Sequence, residues 1–275
     1  MVRALPASSL VLALTAWPLV LAAAPLEELL ERTRGSVVHV SERDASNKEV
    51  GNGSGFVISD DGKLATNHHV IEDARRLVAV FGGGKEVAVT GVWADDPSAD
   101  LAILQLERGS YHSLRLAMVP AKQGASVVMI GSPMGLAGTV STGIVSAVRE
   151  RGPEMRTVSD DLSSWGLQIT APMSPGSSGS PVLDDNAEVV GVAVGQRLRG
   201  QSLNFAIPVS HLRELKAKAE HAGAPRPLST AVQGRTPADN LLISAVALLL
   251  TALVWWLASR RPEKQRKRSL ERYGL

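Results

Sequence analysis

The fold of this chain is constrained most by a succession of short apolar segments between residues 35 and 208. Each segment has five or six residues, is rich in Val and Ile, and is bounded by turn signals such as Asp61-Gly62. Closely spaced strands without intervening helical periods are typical of β-sandwiches and β-barrels, and periodicity alone leaves both open. The predicted strands are Ser36–Val40, Gly55–Ser59, Leu77–Phe81, Val87–Val92, Leu101–Leu106, Ser126–Ile130, Val189–Val194 and Leu203–Ile207.

Two uncharged apolar stretches near the ends predict how the chain is placed. Residues 1–24 carry a positive charge near their start, at Arg3, followed by an apolar run and small residues at the end. This is the pattern of a cleaved secretory signal peptide. An uncleaved N-terminal anchor is the alternative. Residues 241–258 are 18 residues without charge. As a helix they would span roughly 27 Å, close to the thickness of a bilayer core, and we expect a transmembrane helix there.

The charge distribution predicts the orientation of that helix. Residues 259–275 carry seven Lys or Arg and two Glu, although the whole chain has a net charge of only +2. Basic residues stay on the cytoplasmic side, so we expect a cytoplasmic tail and an extracytoplasmic domain at residues 25–221. Because the excess positive charge lies in this tail, it does not indicate a nucleic-acid partner for the domain.

Three further segments complete the predicted organisation. Residues 26–34 have the pattern of a short amphipathic helix, and residues 209–221 that of a closing helix capped by Ser210. Residues 222–240 contain three prolines among small and polar residues, which predicts a linker. The chain has no cysteine, which excludes disulfides and thiol catalysis, and its six histidines include no HExxH-type pair. We therefore expect neither a metal nor a cofactor.

A turn rich in serine and glycine has the composition that a nucleophilic serine requires. Residues 174–181 read Ser-Pro-Gly-Ser-Ser-Gly-Ser-Pro. A catalytic serine needs its Oγ on a tight turn and backbone N–H groups that face the developing oxyanion. We predict Ser178 as nucleophile and the N–H groups of Gly176 and Ser178 as oxyanion hole. An ordinary loop of the same composition is the alternative.

Two adjacent histidines and one aspartate are the candidate partners of this serine. His68 and His69 follow a predicted hairpin strand, and either imidazole is a candidate base. Asp100 directly precedes an apolar strand, where a partly buried carboxylate needs a partner such as a histidine Nδ1–H. Asp95 and Asp96 lie in a turn-like setting, and we expect them to be solvated.

Six segments, in order, resemble the trypsin-like serine proteases and most of all the bacterial HtrA/Deg group. They are GNGSGFVIS at 51–59, LATNHHVI at 64–71, ADLAILQL at 99–106, SPMGLAGTVSTGIVSAV at 132–148, SPGSSGSPVL at 174–183 and NFAIP at 204–208. The resemblance implies an all-β fold of two six-stranded antiparallel β-barrels, at about 35–110 and 115–208. The family motif Thr-Asn-any-His-Val selects His69 over His68.

The same resemblance implies an activity. Ser178, His69 and Asp100 would form the triad of a serine endopeptidase, and Ser177 would add a backbone N–H to the oxyanion hole. Proteins or peptides outside the cytoplasm would be the substrates, in quality control or regulated cleavage. The expected location is the bacterial inner membrane, with the domain in the periplasm. The alternative function is a catalytically silent scaffold with the same fold.

Departures from the family pattern affect specificity and regulation. Pro172 stands where trypsin has an acidic pocket residue, and Ala193 where glutamyl endopeptidases have a histidine. We therefore expect an apolar slot for small or aliphatic side chains, formed by Pro172, Met173 and Ala193. Ser180 replaces the usual glycine. No PDZ domain fits after Pro208, and relatives that trimerise through N-terminal segments suggest a homotrimer.

Overall fold

The computed structural model describes residues 26–132, 138–149, 166–196 and 203–228. The predicted signal peptide, transmembrane helix and basic tail lie outside these residues, as do residues 229–240 of the predicted linker. Across the ranges described, none of the helices has the length and apolar character needed to cross a membrane.

The first barrel follows a short helix, α1, at Leu26–Thr33. Its strands are β1 Val37–Arg43, β2 Glu49–Val57, β3 Lys63–Thr66, β4 Leu77–Val80, β5 Glu86–Asp96 and β6 Leu101–Leu106. They close in the order β1-β2-β3-β6-β5-β4, with every neighbouring pair antiparallel. Alternate residues of a strand share a face, so Val38, Val40, Leu64 and Leu104 fill the interior together.

The second barrel repeats this architecture. Its strands are β7 Ser126–Gly131, β8 Thr139–Arg149, β9 Gly166–Ile169, β10 Pro181–Leu183, β11 Val189–Gln196 and β12 Asn204–Pro208. They close in the order β10-β11-β12-β9-β8-β7 around buried residues such as Val182, Val192 and Ile207. The prediction of two six-stranded antiparallel barrels is confirmed.

The predicted closing helix is present as α2, Val209–Glu220. It buries Val209, Leu212, Leu215 and Ala219, and contacts β11 and β12 of the second barrel together with β5 and β6 of the first. The prediction that Ser210 caps this helix is wrong. The N-cap is Pro208, and no side chain makes a capping hydrogen bond, because the helix begins directly at the end of β12.

The beginning of the predicted linker is bound to the first barrel. Arg226 and Val92 exchange both backbone hydrogen bonds at 2.8 Å, and Leu228 is buried in the core of that barrel. Residues 222–228 are therefore held against β5 rather than free. For residues 229–240 the linker stays a prediction.

We expect Leu104→Ala to lower the free energy of unfolding by about 2–5 kcal/mol, because Leu104 is fully buried and its removal leaves a cavity. Urea unfolding followed by circular dichroism measures this change. Met118→Ala is the control, since Met118 is 69% exposed, and it should change stability by less than about 0.5 kcal/mol. Similar losses in both variants would contradict the placement of Leu104 in the barrel interior.

Candidate active site

Asp100 holds His69 at two points. Asp100 Oδ2 lies 2.7 Å from His69 Nδ1, and Asp100 Oδ1 accepts the His69 backbone N–H at 2.9 Å. The Asp100 side chain is 9% exposed, whereas the imidazole is 45% exposed. A carboxylate on Nδ1 keeps the proton on that nitrogen and leaves Nε2 as the acceptor. The pair is thus a buried carboxylate with an open, oriented imidazole.

The backbone around Asp100 turns its carboxylate toward the histidine. Asp100 has a positive φ of 51°, a conformation that Asp tolerates better than most residues, and its carbonyl accepts Asn67 Nδ2–H at 2.9 Å. Asp96 shapes the same turn by accepting the backbone N–H groups of Ser98 and Ala99 at 3.0 and 3.1 Å. The Ser98 hydroxyl, followed by these N–H groups, holds the pKa of Asp96 below its ordinary value against the effect of burial.

His68 belongs to a different pair. Its Nδ1 lies 3.6 Å from Asp95 Oδ2, beyond hydrogen-bond distance, and only 18% of its side chain is exposed. Asp95 is not solvated as predicted: its side chain is 16% exposed and binds Arg226. Of the two histidines, His69 is the one with a hydrogen-bonded carboxylate and an open ring. The geometry therefore fits the choice of His69 as candidate base.

Ser178 lies on a tight turn between β9 and β10. It is flanked by Gly176 and Gly179, whose φ angles are +89° and +86°. A Cβ at Gly179 would overlap the carbonyl oxygen of Ser54, so no other residue fits there. Ser178 Oγ donates to the Val194 carbonyl at 3.2 Å. The candidate nucleophile thus lies on a turn whose left-handed backbone conformations, before and after Ser178, are both provided by glycines.

Gly53 of β2 lies between the serine turn and the histidine turn. A Cβ at this position would be 2.7 and 2.8 Å from the methyl groups of Val70, which directly follows His69, and 3.2 Å from the carbonyl oxygen of Ser178. The absence of a side chain lets the two turns approach the same point of β2. In this way the structure brings together His69 and Asp100 of the first barrel with Ser178 of the second.

Two of the backbone N–H groups in the serine turn are already used. Ser177 N–H donates to the Ser174 carbonyl at 2.9 Å, and Gly179 N–H donates to the Ala193 carbonyl at 2.8 Å. The prediction of Ser177 as an oxyanion-hole donor therefore needs correction. Its N–H closes the turn that begins at Ser174, and its own carbonyl accepts the Ser180 N–H at 3.0 Å.

The remaining two N–H groups are those of Gly176 and Ser178. Within the part of the chain that the structure describes, neither has a hydrogen-bond partner. Gly176 and Ser178 are both partly exposed, so these two donors are open to an acceptor from outside. Backbone N–H groups in this arrangement beside a serine hydroxyl have the composition of an oxyanion hole.

Ser54 of β2 makes hydrogen bonds to both Gly176 and Ser178, and the sequence motifs did not identify it as a site residue. Its backbone N–H donates to the Ser178 carbonyl at 2.7 Å, and its Oγ donates to the Gly176 carbonyl at 2.7 Å. Its Oγ also accepts the Ser132 N–H at 2.9 Å, and the residue is fully buried. One residue of the first barrel thus holds the carbonyls of both candidate oxyanion-hole residues. Its only signal in the sequence is its place in GNGSG.

Ser180, the departure from the family pattern, is accommodated by a glycine opposite it. Ser180 is fully buried, and a Cβ at Gly131 of β7 would overlap its Oγ. The extra hydroxyl therefore occupies space that the missing side chain of Gly131 leaves open. Within the ranges that the structure describes, the Ser180 Oγ is buried without a hydrogen-bond partner.

The three predicted specificity residues differ in burial. Met173 and Ala193 are buried in the core of the second barrel, whereas Pro172 is exposed. A cavity of about 370 Å³ beside the serine turn is lined by Pro172, Ser174 and Ser177 together with residues of β7 and β8. Neither Met173 nor Ala193 lines it. The main chain of Ala193 is hydrogen-bonded to the turn, through its carbonyl to Gly179 and through its N–H to Ser180. The apolar substrate slot stays a prediction.

Comparisons with known proteins agree with this geometry. A model of the trypsin-like peptidase domain matches residues 53–192, about half of the chain, and includes all three candidate residues. The chain belongs to the trypsin-like peptidase family. The two barrels and the cleft residues described above are thus those of a trypsin-like fold.

Relatives within the family are of the HtrA and DegP type. The chain is 33% identical over 204 residues to mitochondrial serine protease HTRA2 of Bos taurus, covering 71% of this chain and 43% of that protein. It is 36% identical over 180 residues to the "Probable periplasmic serine endoprotease DegP-like" of Brucella suis, covering 63% and 34%. The chain therefore spans less than half the length of these relatives.

A solved structure is also similar. The crystal structure of the serine endoprotease from Yersinia pestis matches with a TM-score of 0.62 and 25% identity, over 72% of this chain and 68% of that one. The resemblance seen in the sequence motifs to trypsin-like proteases of the HtrA/Deg type is confirmed.

We expect Ser54→Ala to lower kcat for peptide hydrolysis by about tenfold to hundredfold with little change in KM. Loss of a direct oxyanion-hole donor lowers kcat by about 10²–10³-fold. Ser54 acts indirectly, through its hydrogen bond to the Gly176 carbonyl, so we expect a smaller loss. Ser41→Ala is the matched control, because Ser41 is also fully buried in the first barrel but donates to Glu49. Equal kcat values for the two variants would contradict the role given to Ser54.

Asp100→Asn should lower kcat on the order of 10⁴-fold, because an amide at this position no longer holds the required tautomer of His69. The variant keeps the size of the side chain, so circular dichroism should show an unchanged fold. Asp61→Asn, which removes an exposed carboxylate paired with Lys63, is the control. An Asp100→Asn enzyme with more than about a tenth of normal activity would overturn the pairing as the source of orientation.

Proposed function

We propose that this protein is a serine endopeptidase that hydrolyses peptide bonds through a Ser178–His69–Asp100 triad. The observation that carries the proposal is the pairing of the buried Asp100 with His69 beside the serine turn. In this turn the N–H groups of Gly176 and Ser178 have no partner among the residues that the structure describes. Family membership supports the reaction class, since trypsin-like relatives of this chain bear the name serine protease.

The proposed reaction begins with a rotation of the serine. Ser178 Oγ leaves the Val194 carbonyl, gives its proton to His69 Nε2 and attacks the scissile carbonyl carbon. The negative charge that develops on the carbonyl oxygen is accepted by the N–H groups of Gly176 and Ser178. Asp100 stabilises the imidazolium and holds its orientation.

Three further proton transfers complete the cycle. The imidazolium of His69 protonates the leaving amine, the C–N bond breaks, and Ser178 carries the acyl group as an ester. A water molecule then gives a proton to His69 and attacks the ester carbonyl. As the ester C–O bond breaks, His69 returns this proton to Ser178 Oγ, which releases the acid and restores the serine hydroxyl.

We further propose that the enzyme works on extracytoplasmic proteins from the bacterial inner membrane, in quality control or regulated cleavage. The apolar stretches at 1–24 and 241–258 and the basic tail support a single-pass topology with the domain in the periplasm. The name of the Brucella relative, which places that protein in the periplasm, supports the same compartment.

One substitution distinguishes the proposed protease from the alternative function, a catalytically silent scaffold. We expect the full chain in detergent to cleave unfolded casein and to be labelled on Ser178 by a fluorophosphonate. Ser178→Ala should lose both the label and the cleavage, whereas Ser113→Ala, at a serine that binds Asp60 away from the site, should keep both. Equal turnover by wild type and Ser178→Ala would refute the proposed mechanism.

A further inference from the structure

The segment that follows α2, residues 223–228, forms a strap that returns from this helix to the first barrel. Its anchor is Arg226, which exchanges two backbone hydrogen bonds of 2.8 Å with Val92 on β5. Leu228, at the end of the strap, is buried among the core residues of the same barrel. Because α2 contacts strands of both barrels, helix and strap together join the second barrel to the first.

A glycine on β5 lets the strap lie this close. A Cβ at Gly91 would be 2.6 Å from the carbonyl oxygen of Arg226 and 3.1 Å from Cβ of Pro225. The φ of Gly91 is not positive, so backbone conformation alone does not require glycine there. The close approach of the strap is what requires glycine at this position.

The side chain of Arg226 extends the strap toward the histidine turn. Its guanidinium binds Asp95 Oδ1, and Asp95 Oδ2 lies 3.6 Å from His68 Nδ1. Arg226 is 51% exposed, so the ion pair itself contributes little stability. Asp95 and His68 are far less exposed, at 16% and 18%. These contacts thus lead from the surface to the residue that directly precedes His69, and the last of them is an electrostatic approach of 3.6 Å rather than a hydrogen bond.

We propose that Arg226 is a positioning residue for the catalytic histidine, acting through Asp95 and His68, and that the strap keeps the histidine turn in place. This proposal rests on the proposed protease function. The strap holds β5 while Arg226 fixes the Asp95 carboxylate beside His68. With the strap detached, the turn that contains His68 and His69 keeps its bonds to Asp100 but loses its outer support. A displacement of about 1 Å at a catalytic group can cost 10²-fold in rate.

The test uses two variants of the full chain that disturb the strap in different ways. Arg226→Ala removes the guanidinium, and Gly91→Ala displaces the strap while Arg226, Asp95 and His68 all remain. Each has a matched control on the first barrel. Arg108→Ala removes another exposed arginine, and Gly82→Ala adds a methyl group where no atom lies within 4 Å.

Two readouts separate a positioning role from a structural one. We expect both strap variants to lower kcat by about tenfold with KM within about twofold, and both controls to match wild type. Amide hydrogen exchange at the His69 N–H, which is bonded to Asp100, should become faster by a similar factor in the strap variants. Arg226→Lys, which keeps the charge on Asp95, should recover kcat to within about threefold of wild type.

Unchanged kcat and unchanged exchange at His69 in Arg226→Ala would overturn the proposal, as would equal losses in Arg108→Ala. If Gly91→Ala fails to fold, Arg226→Ala decides alone, because its side chain is half exposed. If wild type shows no turnover and no fluorophosphonate label, the proposed protease function fails. Exchange at the His69 amide still reports whether Arg226 supports the histidine turn.

Discussion

The candidate site depends on the contact between β2 and the serine turn. His69 and Asp100 belong to one barrel and Ser178 to the other, so their relative position depends on contacts between the two barrels. Ser54 joins the two barrels with hydrogen bonds to the carbonyls of Gly176 and Ser178, and the fit is tight enough that Gly179 has no room for a side chain. Buried hydrogen bonds of this kind are directional, whereas apolar packing between two barrels would leave room to slide.

This contact also decides which backbone groups of the turn are available. The carbonyls of residues 176, 177 and 178 and the N–H groups of residues 177 and 179 all have partners inside the protein. Among the described residues, the N–H groups of Gly176 and Ser178 remain without a partner. An acceptor that develops negative charge near Ser178 meets groups that need no reorganisation, which is how an enzyme favours a transition state over its substrate.

Much of this architecture could be predicted from the sequence, and the exceptions have physical reasons. The eight predicted strands are all present, because their apolar residues alternate or cluster over five or six positions. β3, β8, β9 and β10 were not among them, although β3 matches the hairpin strand expected before His68. β10 has only three residues and β9 four, and β8 leaves most of its side chains partly or fully exposed, so their pairing comes from neighbouring strands rather than from their own pattern.

The residues of the candidate site also differ in how far the sequence could predict them. Asp100, His69 and Ser178 carry chemically distinctive side chains in ordered motifs and could be found from them. Ser177 could not be separated from its neighbours, because the use of a backbone N–H depends on turn geometry and leaves no mark in the sequence. Ser54 and Arg226 were missed because both act on segments that are distant in the sequence. The strap has the proline-rich composition of a linker, yet two main-chain hydrogen bonds hold it on β5.

The docking of residues 222–228 has a consequence for the reach of the enzyme if it is anchored as proposed. The tether to residue 241 is then 12 residues long instead of 19. Twelve residues span about 40 Å at full extension and average roughly 20 Å as a flexible chain. A domain of this size is itself about 40 Å across, so its cleft would stay within about one domain diameter of the lipid headgroups. The substrates within its range would be chain segments close to the membrane surface.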